Sequence, residues 1–231
     1  MRLRITGAVL ALSIALLAVA GTAGAALIGI YRNGMETSGQ RGEPVKLSGE
    51  RCGRGGSDHA FRVVVGKRTK ECSYRTIVFG RDLEIAATAR LLSSTPKPVR
   101  RKAYLALNLR SGDGAHYQLL AYPLQRKAQL RKTFSNGSFK YLRIAKHVKS
   151  IMGVDKANKL RLRAFNVTSG PDKGHCHILG YVGKVLVADF TDRASGDLPG
   201  RASGFAVGAT KKAKGAAGSF DDVVVRVPNP F

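Results

Sequence analysis

The stretch Leu83-Glu84-Ile85-Ala86-Ala87-Thr88-Ala89-Arg90-Leu91 decides the fold. Leu83, Ile85, Ala87, Ala89 and Leu91 alternate with Glu84, Ala86, Thr88 and Arg90, and a period of two puts each set on its own side of an extended chain. The same rhythm continues in both directions. Phe61, Val63 and Val65 precede it, and Ala103, Leu105, Leu107 and Leu109 follow, with Tyr104, Asn108 and Arg110 on the opposite side. Ser111-Gly112-Asp113-Gly114 signals a hairpin that returns through 116–122. Further strands are expected at about 124–133, 138–147 and 160–164, and near 175–182, 185–191, 203–209 and 219–227. About ten to twelve strands with short polar connections and no crossover helices imply antiparallel sheets, and two sheets face to face bury so many one-sided strands. The expected fold is all-β: a two-sheet antiparallel jelly-roll β-sandwich over residues 57–231, preceded by an N-terminal apolar helix.

Upstream of the domain, residues 32–56 are polar and rich in Gly and Glu, and read as a linker. Arg2 and Arg4 precede an uncharged run over residues 5–31, the pattern of an export signal. Small-residue cleavage sites occur at Ala18-Val19-Ala20 and Ala23-Gly24-Ala25, whereas a run of this length is also sufficient to span a bilayer. Residues 1–31 are therefore a signal peptide or a signal-anchor. Both place the rest outside the cytoplasm, as a secreted or single-pass membrane protein with its N-terminus inside.

The 231 residues include 39 Lys+Arg and 15 Asp+Glu, a formal net charge of +24, and setting aside Arg2 and Arg4 still leaves +22. Such charge attracts anionic polysaccharides or cell-envelope polymers. Nucleic acid is not expected as a partner, because export removes the opportunity and no helix-turn-helix, zinc finger or RNA-binding aromatic signature accompanies the charge. The basic residues are scattered in short clusters such as Arg100-Arg101-Lys102, Arg126-Lys127 and Arg131-Lys132, which is a surface property rather than a docking tail.

Three cysteines in an exported chain invite a disulfide. Cys52 and Cys72 flank a Gly-rich loop and a short strand and form the better pair, although Cys176 could partner either. His175-Cys176-His177 is a weak metal motif, since strand alternation turns the two imidazoles to one face and the thiol to the other. No G-x-S-x-G, P-loop or H-E-x-x-H motif is present.

The segments 158–165, 181–192, 200–208 and 219–225 form a recognisable succession. It includes Val182-Gly183-Lys184, Asp189-Phe190-Thr191-Asp192, Gly204-Phe205-Ala206-Val207-Gly208 and Phe220-Asp221-Asp222-Val223-Val224-Val225. It resembles the back half of concanavalin A-like lectin/glucanase domains, near the laminin-G-like and sugar-hydrolase-associated jelly rolls. The turn lacks the Asn usual before Gly183-Lys184. The resemblance implies the sandwich and little about activity, since this fold hosts lectins, glycosidases, lyases and adhesion modules. Glucanases of the superfamily carry E-x-D-x-E on one strand; here Asp82 and Glu84 have that spacing and no acid follows at 86. A lyase reading draws on His116 and Tyr117 beside Tyr104 and Arg110. A glycan on the concave sheet face implies Tyr104, Tyr122 and Tyr181 for stacking, supported by Asn108, Arg110 and Gln118. Calcium occurs in the superfamily, and Asp189, Asp192, Asp221 and Asp222 are the candidate donors, without the dense oxygen loop that ion needs. The leading expectation is a non-catalytic module that binds anionic glycans. Polysaccharide lyase or hydrolase activity and a structural protein-interaction role are the alternatives.

Overall fold

In the computed structural model, residues 27–33, 45–48, 52–57, 60–67, 69–194, 198, 200–210 and 213–228 are described. The deciding stretch becomes a strand deep inside one sheet, and its alternation survives: Leu83, Ile85, Ala87, Ala89 and Leu91 are all buried.

That sheet has eight strands: β1 (Leu27–Asn33), β3 (Cys52–Ser57), β4 (Ala60–Val65), β6 (Leu83–Leu91), β11 (Asn158–Asn166), β12 (Cys176–Val182), β13 (Val185–Asp192) and β15 (Ala217–Pro228). Its order is β13-β12-β11-β6-β15-β4-β3. One long side of β15 pairs with β6, while the other is shared, Ala217–Phe220 by β4 and residues 223–228 by β1. The second sheet has seven strands: β2 (Val45–Ser48), β5 (Glu71–Phe79), β7 (Ala103–Gly112), β8 (Ala115–Tyr122), β9 (Lys127–Thr133), β10 (Phe139–Ala145) and β14 (Ala202–Ala209), in the order β10-β9-β8-β7-β14-β5-β2. Among the described residues every pairing is antiparallel, and only short helical turns at Lys97–Arg100 and Pro123–Gln125 interrupt the strands. The two sheets stack as a jelly-roll β-sandwich.

The strands expected from alternation all appear, with ends displaced by a few residues. Others did not show in the pattern. Residues 32–56, read as linker, supply β2 and β3 and the end of β1, and residues 27–31 of the apolar run lie on a strand. Backbone pairing explains both differences. A sheet edge needs partners for its N–H and C=O groups whatever the side chains, so β15 and β5 recruit segments whose composition carries no period-two signal. Residues 5–26, with the expected N-terminal helix and both cleavage sites, lie outside the described residues. Among the described residues no helix is long and apolar enough to cross a membrane.

Phe61, Tyr74, Phe205 and Phe220 interlock at the centre of the core, with ring centroids 4.5 to 5.5 Å apart along the chain of contacts. Cys52 and Cys72 form a disulfide between β3 and β5, joining the sheets at one edge, and Cys176 is buried outside that disulfide. At the opposite edge a polar clasp does the same. Lys132 of β9 donates from Nζ to Oδ2 of Asp192 on β13 at 2.6 Å, and the Tyr117 hydroxyl donates to the same oxygen at 2.6 Å. All three side chains are buried. Burial alone would raise the Asp192 pKa, but the two donors outweigh it and hold the carboxyl below its ordinary 3.8.

Removing one partner of a buried ion pair costs about 3–5 kcal/mol, so Asp192→Ala lowers the thermal midpoint by several degrees at neutral pH. Because the folded-state pKa lies below the unfolded one, the carboxylate stabilises above pH 3.8 and that stability is lost as pH falls further. Differential scanning calorimetry of both proteins at stepped pH therefore shows a gap that narrows on acidification.

Candidate functional site

The outer face of the seven-stranded sheet carries an unusual floor. Phe205 and Val207 of β14 point into the core, leaving Gly204, Ala206 and Gly208 outward, so a shallow trough of small residues runs between β5 and β7. Its walls are polar. On β5 they are Glu71, Ser73 and Arg75, which alternate with core-facing Cys72, Tyr74 and Thr76.

Glu71 is the hub. Its Oε2 accepts from the Tyr104 hydroxyl at 2.6 Å and from Arg131 at 3.0 Å, and its Oε1 accepts from the Gln118 side-chain amide at 3.1 Å. Arg131 also donates to the Gln118 carbonyl oxygen. One strand lies between Tyr104 and Glu71, and the register places Gly208 directly between them. A Cβ at 208 would sit 2.5 Å from the Tyr104 hydroxyl and 2.9 Å from the Lys70 carbonyl, so only glycine lets the phenol cross. Burial, reinforced by the neighbouring carboxylate, pushes the Tyr104 pKa well above its ordinary 10.0, which keeps it a donor. Asn108 extends the network by donating to Ser73 Oγ at 2.8 Å. Tyr122 packs with Tyr104, Ala106, Leu120 and Ala206 in a small cluster on this outer face, its ring capped by Lys127 at 4.1 Å.

Beside the network opens a pocket of about 410 Å³, walled by Arg75 and Phe79 of β5, by Asp113 and His116 around the β7–β8 turn, and by Arg201. Phe79 is 56% exposed, with the Arg75 guanidinium 5.7 Å from its ring centroid. His116 Nε2 is buried and has no hydrogen-bond partner, and burial lowers its pKa below the ordinary 6.5, so the imidazole is neutral at pH 7. The pocket thus joins an open aromatic face, a planar cation, a carboxylate and a neutral ring nitrogen. That set suits a ligand rich in hydroxyls.

Of the residues expected to bind, Tyr104, Asn108, Gln118 and Tyr122 do share this face, yet all four are buried and support the wall rather than line the pocket. Arg110 is not among them. The β7–β8 register slips between Leu109 and Gly112, Arg110 adopts φ 52, and its guanidinium turns to the end of the sandwich. There it donates to Asn166 Oδ1 at 2.6 Å and the Arg81 carbonyl at 3.2 Å, with Asp82 at 3.5 Å. Tyr181 belongs to the opposite sheet, stacked under Arg161 at 3.9 Å. The lyase grouping separates as well, by strand alternation: Tyr117 faces the core and its neighbour His116 the outside. The residues that sequence missed, Glu71, Arg75 and Phe79, stand on a strand whose alternation (Glu71, Ser73, Arg75 against Cys72, Tyr74, Thr76) was visible.

The acids considered for calcium are dispersed. Asp192 is held in the clasp, Asp189 lies 3.2 Å from His177 Nε2, and three strands separate β13 from Asp221 and Asp222 on β15, about 19 Å at strand spacing. Among the described residues no three His, Cys, Asp or Glu side chains group to hold a metal.

No protein-family model and no curated protein matches the chain. Solved structures do. A carbohydrate-binding module, CBM66 from Bacillus subtilis, superposes with TM-score 0.58 at 15% identity over 79% of this chain and 94% of its own. The CBM2 module of the evolved Dit protein of Lactobacillus casei BL23 phage J-1 gives 0.55 at 9% identity over 89% and 98%. The kappa-carrageenase of Pseudoalteromonas carrageenovora, solved with a carrageenan oligosaccharide, gives 0.55 at 8% identity over 92% and 99%. The jelly-roll sandwich is their common fold. At such identities the likeness extends to backbone architecture alone.

A hydrogen bond to a charged group contributes about 1.5–3 kcal/mol, so Tyr104→Phe lowers the unfolding free energy by roughly 2 kcal/mol. Combined with Glu71→Ala, the loss falls short of the sum by about 0.5 kcal/mol or more, because both changes cut one network. Urea denaturation of the four proteins of the cycle measures it.

Proposed function

We propose that this chain is a non-catalytic glycan-binding module of the concanavalin A-like type, exported or membrane-anchored, with a preference for anionic envelope polymers. The observation that carries the reading is the pocket on the seven-stranded sheet. Arg75, Phe79, Asp113 and His116 bring a stacking surface and both kinds of hydrogen-bonding group into one opening. Sugars need such a mixture, an apolar ring face flanked by hydroxyls. Support comes also from the carbohydrate-binding modules that share the fold, and from the net charge of +24 for the anionic preference.

Glu71 favours binding over hydrolysis. Glycoside cleavage needs one carboxyl poised as an acid and a second facing it. Here both oxygens of Glu71 are occupied by donors from three side chains, which suits a structural acceptor. The Cys52–Cys72 disulfide supports an oxidising compartment and hence the export reading of residues 1–31.

A glycan array probed with the full chain tests this. Retention on oligosaccharide spots is expected, with Arg75→Ala and His116→Ala each weakening it about tenfold, a loss of about 1.4 kcal/mol, at an unchanged thermal midpoint. Absence of retention on any glycan overturns the reading. Release of new reducing ends or unsaturated products from acidic polysaccharides would assign an enzyme instead.

A further inference from the structure

The face opposite the pocket carries a second, larger depression. It is a groove of about 820 Å³ along the outside of the eight-stranded sheet. Its floor is Ala86 and Thr88 of β6, small outward residues between two taller rows. The β11 row is Lys159, Arg161 and Arg163, and the β15 row includes Val224 and Arg226. Lys184, in the β12–β13 turn, stands at the Lys159 end, where the Gly183 amide donates to the Lys159 carbonyl at 2.7 Å.

Five cationic side chains therefore line the groove against two carboxylates, Glu84 and Asp222. Glu84 is buried and answered by Arg226 at 2.7 Å, with Arg161 at 3.9 Å. On β11 the alternation sets Lys159, Arg161 and Arg163 in a line, about 6.7 Å from one to the next at strand rise. The two arginines are held from beneath: Arg161 lies 3.9 Å above the Tyr181 ring and Arg163 4.7 Å from that of Phe165. A guanidinium stacked on an aromatic keeps its N–H edge directed outward, where it can grip a planar carboxylate with two hydrogen bonds.

We propose that this groove is a binding site for a linear polysaccharide bearing carboxylates on successive sugars, with the β11 cations reading the row of charges. A single line of evenly spaced cations matches one strand of repeating monoanions. Single-stranded nucleic acid needs open aromatic faces for its bases, and here the rings of Tyr181 and Phe165 are already covered by guanidinium groups. The site is separate from the pocket on the seven-stranded sheet and stands whether or not that pocket takes sugar.

Affinity electrophoresis of the full chain through gels containing alginate, a polyuronate, or pullulan, a neutral glucan, tests the proposal. Two exchanges carry it: Lys159→Glu, Arg163→Glu and Lys184→Glu combined; and Arg100→Glu, Arg101→Glu and Lys102→Glu combined, which removes equal charge elsewhere. The wild type is retarded by alginate in a salt-sensitive manner and passes pullulan freely. The groove variant loses at least tenfold in apparent affinity, while the other stays within about twofold. Equal losses in the two charge-reversed proteins would reduce the effect to net charge and overturn the site. Tighter binding of a single-stranded oligonucleotide than of alginate, abolished by the groove exchanges, would refute the ligand class. Circular dichroism melting of each variant identifies any that fails to fold, and Lys159→Gln with Lys184→Gln, both exposed, then repeats the comparison.

Discussion

Each strand in this sandwich has two sides, and the sheets share one dry interior. That constraint governs the rest. Leu105, Leu107 and Leu109 of β7 and Phe205 and Val207 of β14 are fully buried because alternation delivers them inward together, each contributing about 1.5–3 kcal/mol through the water it leaves. What alternation sends inward at β9 and β8, however, includes Lys132 and Tyr117. Those polar groups meet Asp192 from the facing sheet. What it sends outward on β14 is small, and that leaves the trough over which Tyr104 reaches Glu71.

How far the sequence spoke can be judged residue by residue. Period-two runs located β6, β7 and β11 because those strands separate apolar from polar cleanly, and the hairpin signal at Ser111-Gly112-Asp113-Gly114 located β8. β1 and β2 escaped because their place is set by hydrogen bonding to strands distant in sequence, which leaves no local trace, and β3, a hairpin partner of β4, escaped because its Gly-rich sequence carries no period-two alternation. The outward side of β7 was legible for Tyr104 and Asn108. It failed at Arg110, where one left-handed residue reverses the side on which the chain projects. Tyr181 carried no mark of which sheet it would join. The actual pocket residues come from β5 and two turns, and their convergence depends on pairings across more than a hundred residues.

The two outer faces differ in chemistry for reasons of their neighbours. On the seven-stranded sheet, Glu71 gathers donors from Tyr104, Arg131 and Gln118. On the eight-stranded sheet, the guanidinium groups of Arg161 and Arg163 rest on aromatic rings while their charge stays accessible. Of the 39 basic residues, Lys159, Arg161, Arg163 and Lys184 thus stand together along β11 and the β12–β13 turn.

The register of β1 on β15 has a geometric corollary. Leu27 is the partner of Pro228, so the chain enters and leaves the described body at a single corner. Anything attached before or after it hangs from that one point, like two cords on the same ring. A permuted chain, with a brief bridge from 228 to 27 and fresh ends in a surface turn, preserves every pairing described above.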